Sequence, residues 1–231
     1  MDVSRTVRII IFICFLLSTL VFFLFRQTQW PIGLEAIACI FSTFILLLIL
    51  YLFWKFENKL IDGKQKLNLV YGLIISLLWT IEISINNIIQ PGLPERDIID
   101  DIFWGIITLL LFIKIIKDSY QEENIISGIK TGLWTGFTSG LVACLTALFF
   151  IVFGIKLLFN DSLNIREWSD MKNVSFTKDT TVYFAYQTYA GAMLHLYLLG
   201  IFFGCIFGII GGLLGKGLRL IKKQNIIIQD R

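Results

Sequence analysis

Residues 128–150 read GIKTGLWTGFTSGLVACLTALFF and place a glycine at every fourth position. This first glycine row is Gly128, Gly132, Gly136 and Gly140, and a second glycine row with the same spacing is Gly200, Gly204, Gly208 and Gly212. Because four residues make just over one helical turn, each row lies along one helix face. In water, each glycine would weaken the helix by about 1 kcal/mol relative to alanine. In a bilayer no water competes for the backbone, so the rows predict closely packed membrane helices.

The composition of the whole chain also predicts a membrane protein. Its 231 residues are 56% hydrophobic, with a mean hydropathy of +0.78. Six apolar segments are long enough to cross a hydrocarbon core of roughly 30 Å. They lie at about 7–25, 33–54, 68–89, 98–116, 131–155 and 190–214. The sequence therefore predicts an all-α, polytopic bundle of six transmembrane helices in a single transmembrane domain, 1–231, with an outer loop at 159–188.

The distribution of basic residues predicts the orientation, because cytoplasmic loops are enriched in lysine and arginine. With the N-terminus inside, the outer side holds only Arg26, Arg96, Lys156, Arg166, Lys172 and Lys178. Trp30 and Trp104 then fall at outer interfaces, where tryptophan rings prefer to lie. Both termini are predicted to be cytoplasmic, and the short loops predict a bacterial cytoplasmic membrane.

This orientation places both glycine rows in the inner half of the membrane, on consecutive antiparallel helices. We therefore expect the rows to face each other in a glycine-zipper contact. Three interpretations remain open: a fixed seam within one chain, a seam between two copies, and a contact that moves to open a pathway.

Glu82 is an ionisable residue inside a predicted span, where insertion of a charge at the helix centre costs about 2.5–3.5 kcal/mol. Trp79, Glu82 and Asn86 follow helical spacing on one face, and Asn87 lies beside them. Such a polar stripe predicts either a functional site or a glutamate that hydrogen-bonds to neighbouring helices.

Two further polar residues fall at a similar predicted depth. His195 is the only histidine, and Lys156 lies near the outer end of the fifth span. The hypothesis is a polar pocket open to the outside and closed below by the glycine rows. Its residues are Glu82, Asn86, Asn87, His195, Lys156 and Trp79. Alternatively, His195 forms a hydrogen bond between helices and Lys156 extends to the membrane surface.

The sequence shows no nucleotide-binding loop, no metal-ligand spacing and no catalytic motif. No cofactor, metal site or catalytic residue is predicted. The chain lacks the concentrated basic patch of a nucleic-acid partner, so the expected partners are the lipid bilayer and a second copy or another membrane protein. The acidic run of Glu95, Asp97, Asp100 and Asp101 is interpreted as either a solvated turn or a divalent-cation site.

These features predict a non-enzymatic membrane subunit that conveys a small solute or ion, or that scaffolds an assembly which does so. One alternative is an accessory or sensor protein that binds an envelope partner through the outer loop 159–188. Another is an intramembrane enzyme in which Glu82 and His195 act as acid and base.

Overall fold

The computed structural model describes residues 2–25, 34–173, 175 and 177–229, and these residues form helices without any strand. Arg26 and Trp30, both predicted on the outer side, lie outside the described residues. The helices are α1 (Val3–Leu24), α2 (Leu34–Leu60), α3 (Gly63–Ser84), α4 (Leu93–Glu122), α5 (Ile125–Asn160), α6 (Ser162–Met171), α7 (Thr180–Leu194) and α8 (Gly204–Gln229). A π-helical turn, Ile85–Ile89, continues α3, and a π-helical segment, His195–Phe203, joins α7 to α8.

Side-chain caps begin several of these helices, because the first backbone N–H groups of a helix have no partner within it. Asp62 accepts from the N–H groups of Lys64 and Gln65, and the Gln65 side chain accepts from the Asp62 N–H in return. Asn124, Asp161 and Asp179 likewise cap α5, α6 and α7.

Five of the described helices are long and apolar enough to cross a membrane, which indicates a membrane protein. The corresponding residues are Val3–Leu24, Ile37–Phe56, Gly63–Ile89, Ile125–Asn160 and Thr180–Asn225. Each of them overlaps one of the predicted spans.

Helix α4 covers the remaining predicted span, 98–116, but it is more polar than the other five. Every 18-residue stretch of α4 holds at least three charged residues. Two of these residues bond to side chains of α3: Asp100 accepts from Asn86, and Lys114 donates to Asn68. Partners on a neighbouring helix are the usual accommodation of charge at membrane depth. Six crossings and two cytoplasmic termini stay predictions.

The segment predicted as a loop at 159–188 is largely helical. Helix α5 extends to Asn160, α6 follows directly, and α7 begins at Thr180, so only 172–179 connect α6 to α7. The sixth predicted span, 190–214, is thus the middle of one continuous helix from Thr180 to Gln229. Hydropathy misses α6 because a polar surface helix has no long apolar run. The capping residue Asp161 marks the start of α6, and Asp179 marks the start of α7.

The two glycine rows lie against each other, with α5 on one side and the α7–α8 helix on the other. A methyl group on Gly204 would lie 2.6 Å from the Gly132 carbonyl oxygen, and one on Gly200 would lie 2.7 Å from that of Gly136. No real side chain tolerates such distances, and the opposing atoms are backbone atoms that have no rotamer to change. Only glycine therefore fits at these contacts.

Other glycines bring further helices close to the same pair. Gly211 and Gly215 of α8 pack against Ile115 and the backbone of Ile116 on α4, and Gly72 of α3 packs against the Thr135 carbonyl oxygen of α5. Helix α5 consequently lies at the centre of the bundle, in contact with α1, α3, α4, α7 and α8.

Candidate functional site

A cluster of polar side chains joins α3 to α4 where α3 widens into its π-helical turn. We name Glu82, Asn86, Arg96, Asp100 and Asp161 the Glu82 cluster. The Asn86 side-chain amide donates to Glu82 Oε1 at 2.8 Å and to Asp100 Oδ1 at 2.8 Å. One amide thus bridges carboxylates from two helices.

The arginine of this cluster is bound to other groups. Arg96 Nη2 donates to Asp161 Oδ2 at 2.8 Å and to the Asn86 carbonyl oxygen at 3.0 Å. Asp161 is buried and also caps α6, so this ion pair ties α4 to the junction of α5 and α6.

Three buried atoms of the cluster have no hydrogen-bond partner among the described residues: Glu82 Oε2, Asn86 Oδ1 and Arg96 Nε. Glu82 is only 6% exposed, so bulk water does not solvate its carboxyl group. Buried polar groups are almost always hydrogen-bonded, and exceptions often mark functional positions.

A cavity of about 130 Å³ lies next to the cluster, between α3, α4, α5 and the π-helical segment that precedes α8. We name it the central cavity. The rings of Trp79, Trp104 and His195 meet at its wall, with centroids 4.8 Å apart for the two tryptophans and 5.2 Å apart for Trp79 and His195. Thr108 and Ser139 add hydroxyl groups. The remaining lining residues are Ile107, Leu111, Gly136, Leu199, Gly200, Phe203 and Phe207.

Both π-helical segments of the described chain carry residues of the predicted pocket. Asn86 and Asn87 lie in Ile85–Ile89, and His195 begins His195–Phe203. His195 Nδ1 is 2.8 Å from the Gly191 carbonyl oxygen, one turn earlier. π-Helical turns recur at functional sites because their altered bonding changes where side chains point.

A second polar network, at the opposite end of α3, was not predicted. We name Asn68, Lys114, Asp118 and Thr131 the Asp118 network. Lys114 Nζ donates to Asp118 Oδ2 at 2.5 Å and to Asn68 Oδ1 at 3.1 Å, while Thr131 donates to Asp118 Oδ2 at 2.7 Å. These bonds connect α3, α4 and α5.

A cleft of about 270 Å³ adjoins this network at the α4–α5 junction. Lys64 pairs there with Glu122 and donates to Ser127 Oγ at 2.8 Å. The hydrogen bond from Lys64 lowers the pKa of Glu122, and bonds from Lys223 and Arg219 lower the pKa of Glu123.

The cluster, the cavity and the network follow in the same order on three helices. On α3 the order is Glu82, Trp79 and Asn68, and on α4 it is Asp100, Thr108 and Asp118. From the C-cap of α5 back along that helix it is Asp161, Ser139 and Thr131. With a rise of about 1.5 Å per residue, Glu82 and Asn68 lie about 21 Å apart along the α3 axis. The three features are therefore stacked along the bundle.

The structure brings together only part of the predicted pocket. Glu82 bonds directly to Asn86, and Trp79 contacts His195 at the cavity wall. The Asn87 amide instead donates to the Ile83 carbonyl oxygen at 2.7 Å. Lys156 is exposed, and no ion pair joins it to Glu82 in the described part of the chain.

Sequence reasoning missed Arg96, Asp100, Asp161 and Trp104 as neighbours of the predicted pocket. A signal was present, because α3 and α4 form a hairpin around Pro91 and Gly92. Residues at similar distances from such a turn, such as Asn86 and Asp100, face each other across an antiparallel helix pair.

Aromatic residues of the predicted outer loop 159–188 lie on α6 and α7 and are packed inside the protein. Tyr183, Phe184 and Tyr186 are each at most 5% exposed, and the Tyr183 hydroxyl donates to Glu167 at 2.8 Å. Trp168 packs against the Tyr183 ring. These contacts hold α6 against α7.

Within the described residues, no group of three or more His, Cys, Asp or Glu side chains is arranged to hold a metal ion. Asp100, from the acidic run at 95–101, turns away to bond Asn86. Comparison of the chain with protein-family models, curated proteins and solved structures gives no significant match.

Proposed function

We propose that this membrane protein conveys a small solute or ion across the bilayer, along the space between α3, α4, α5 and the α7–α8 helix. The observation that carries the proposal is the stacking of the Glu82 cluster, the central cavity and the Asp118 network on three helices. Polar groups inside a bundle mark ion and substrate pathways in membrane proteins, since lipid-facing positions do not accommodate them.

The size and position of the central cavity support this role. Its volume of about 130 Å³ is several times the roughly 15 Å³ that one water molecule needs by the same measure. Gly136 and Gly200, which lie in the close contact between the glycine rows, also line the cavity. The tight contact forms one wall, so a small shift of α8 against α5 would change the width of the cavity.

In the proposed orientation, the Glu82 cluster faces the outside and the Asp118 network faces the cytoplasm. Solute would reach the cavity past the Glu82 cluster and leave it past the Asp118 network. The glycine contact would form the closure between them, as a moving rather than a fixed seam.

Flux through proteoliposomes tests the proposal, with protons, Na⁺, K⁺ and glycerol as the four probes. We expect at least one probe to cross, and Thr108→Trp to abolish its flux by filling the cavity. Leu109→Trp is the matched control, because Leu109 is the next residue of α4 and is 59% exposed on the outer surface of the bundle. Equal flux through both variants would contradict the pathway. Absence of flux for all four probes in folded wild-type protein would contradict conduction and favour the accessory role.

A further inference from the structure

The two carboxylates of the Glu82 cluster share one hydrogen-bond donor. Asn86 Nδ2 lies 2.8 Å from Glu82 Oε1 and 2.8 Å from Asp100 Oδ1, so both its hydrogen atoms are engaged. A single neutral amide does not compensate two negative charges in a site of low dielectric constant, where like charges repel strongly.

No basic side chain donates a hydrogen bond to Glu82 in the described residues. On α4, Arg96 directs its Nη2 atom to Asp161 and the Asn86 carbonyl oxygen. On the π-helical segment before α8, the His195 ring packs edge-to-face against Trp79, and its Nδ1 atom bonds to the Gly191 carbonyl oxygen. Lys156 of α5 is exposed. The cluster therefore holds three carboxylates and one guanidinium.

Apart from Arg96 Nε, the unpartnered buried atoms of the site are oxygen acceptors. Glu82 Oε2 and Asn86 Oδ1 are both buried, and neither receives a hydrogen bond from a described residue. Carboxylate and amide oxygens without donors are suited to a bound proton or a small hard cation.

The Asp118 network provides a comparison, because it contains a buried carboxylate whose hydrogen-bond donors come from the protein itself. Asp118 is buried like Glu82, but its Oδ2 atom accepts from both Lys114 and Thr131. The two carboxylates thus differ in their partners: Asp118 is paired with a lysine, whereas Glu82 is bonded to a neutral amide and its Oε2 atom is buried without a donor among the described residues.

We propose that Glu82, Asn86 and Asp100 bind one small monovalent cation, either a proton or Na⁺, between α3 and α4. A bound proton forms an O–H bond to one carboxylate oxygen and donates a hydrogen bond to another; on release it leaves as H⁺ and both groups are ionised. Na⁺ would lie between the two carboxylates, with the Asn86 side-chain amide turned so that Oδ1 instead of Nδ2 faces the ion. That the bound cation is also the ion conveyed across the bilayer rests on the proposed function. Binding of the cation can be measured without transport.

Infrared spectroscopy of the purified chain in detergent tests the site, because a protonated carboxyl group absorbs apart from carboxylates. In Na⁺-free choline buffer at neutral pH, we expect one protonated carboxyl band per protein. The band should be lost in Glu82→Gln and kept in Asp101→Asn, since Asp101 is the exposed neighbour of Asp100. Size-exclusion profiles establish that the variants are folded.

Adding NaCl separates the two cations. If the protonated carboxyl band persists at high NaCl concentration, the site binds a proton. If the band decreases with added NaCl along a saturating binding curve, Na⁺ replaces the proton at the site. If wild-type protein has no such band and binds no ²²Na⁺, the site holds no cation and the inference is wrong. This outcome is measured on wild-type protein and so does not depend on whether the variants fold.

Together with the flux assay, these measurements test the cation site and the proposed function separately. A Glu82-dependent band without any flux supports the cation site and contradicts conduction. Flux of glycerol alone, with no band and no ²²Na⁺ binding, supports conduction and contradicts the cation site.

Discussion

The Lys114–Asp118 pair shows how single side chains hold α4 within the bundle. Both residues lie on α4, and their partners Asn68 and Thr131 lie on α3 and α5. We expect Lys114→Met to destabilise the protein by about 3–5 kcal/mol, because it leaves the buried Asp118 carboxylate without its cation. Thermal unfolding in detergent measures the loss.

The matched control for this prediction is Lys117→Met, since Lys117 is exposed one turn along the same helix. Its stability should stay close to wild type. The double variant Lys114→Met with Asp118→Leu should recover most of the loss by removing the unpaired charge. A Lys114→Met protein as stable as Lys117→Met would show that the network does not hold the helices together.

Some residues of the candidate site can be recognised in the sequence, whereas their partners cannot. Glu82, Asn86, Trp79 and His195 are conspicuous because each is unusual within an apolar segment, and helical spacing places three of them on one face. Their partners are less conspicuous. Arg96 and Asp161 belong to polar connecting regions, where charge is ordinary, and only the folded geometry brings Arg96 Nη2 to within 2.8 Å of Asp161.

Among the helices, the contact between the glycine rows gives the sharpest prediction. Gly204→Leu would place a side chain against the Gly132 backbone, where no neighbouring rotamer gives way. We expect a loss of about 3 kcal/mol, at the upper end of the range for overpacking. The folded fraction after solubilisation and the thermal midpoint measure it.

Gly217→Leu is the matched control on α8, because no atom of the described residues, apart from the chain neighbours and nearby backbone of α8 itself, lies within 4 Å of a methyl group built there. This variant should fold as well as wild type, and leucine even favours the helix over glycine. Equal stability of the Gly204 and Gly217 variants would mean that the rows do not pack as described.

Helix positions follow largely from the sequence because long apolar runs and four-residue glycine spacing are local signals. The rows on α5 and α8 are visible in the printed sequence, and the structure places them in contact. The lengths of α5 and α7 are less accessible, since their polar ends carry no hydropathy signal. Gly72, a lone glycine without periodicity, gives no sequence indication of its contact with Thr135.

For the whole molecule, the open question of topology is whether α4 crosses the membrane. It runs antiparallel to α3 between Asp100, which bonds to Asn86, and Lys114, which bonds to Asn68. Because α3 is long and apolar enough to cross, we expect α4 to cross as well. Single cysteines at Gly92 and Gln121, in a chain without its natural cysteines, should label from opposite sides.

A membrane-impermeant thiol reagent makes this measurement in intact and permeabilised cells. We expect Gly92→Cys to react in intact cells and Gln121→Cys to react only after permeabilisation. Gly63→Cys is the reference position for the inner side, because it precedes α4 in the chain and its side does not depend on whether α4 crosses. Labelling of both α4 ends from one side would reduce the crossings to five and place the termini on opposite sides.

Two helices of the bundle are much longer than a bilayer is thick. The run from Thr180 to Gln229 measures about 75 Å and α5 about 54 Å, against a hydrocarbon core of about 30 Å. Even a tilt of about 40° leaves the longer helix overhanging the lipid. A change of a few Å in membrane thickness would therefore change the length of each helix that lies outside the lipid. Packing within the protein would keep the separation between Glu82 and Asp118 unchanged.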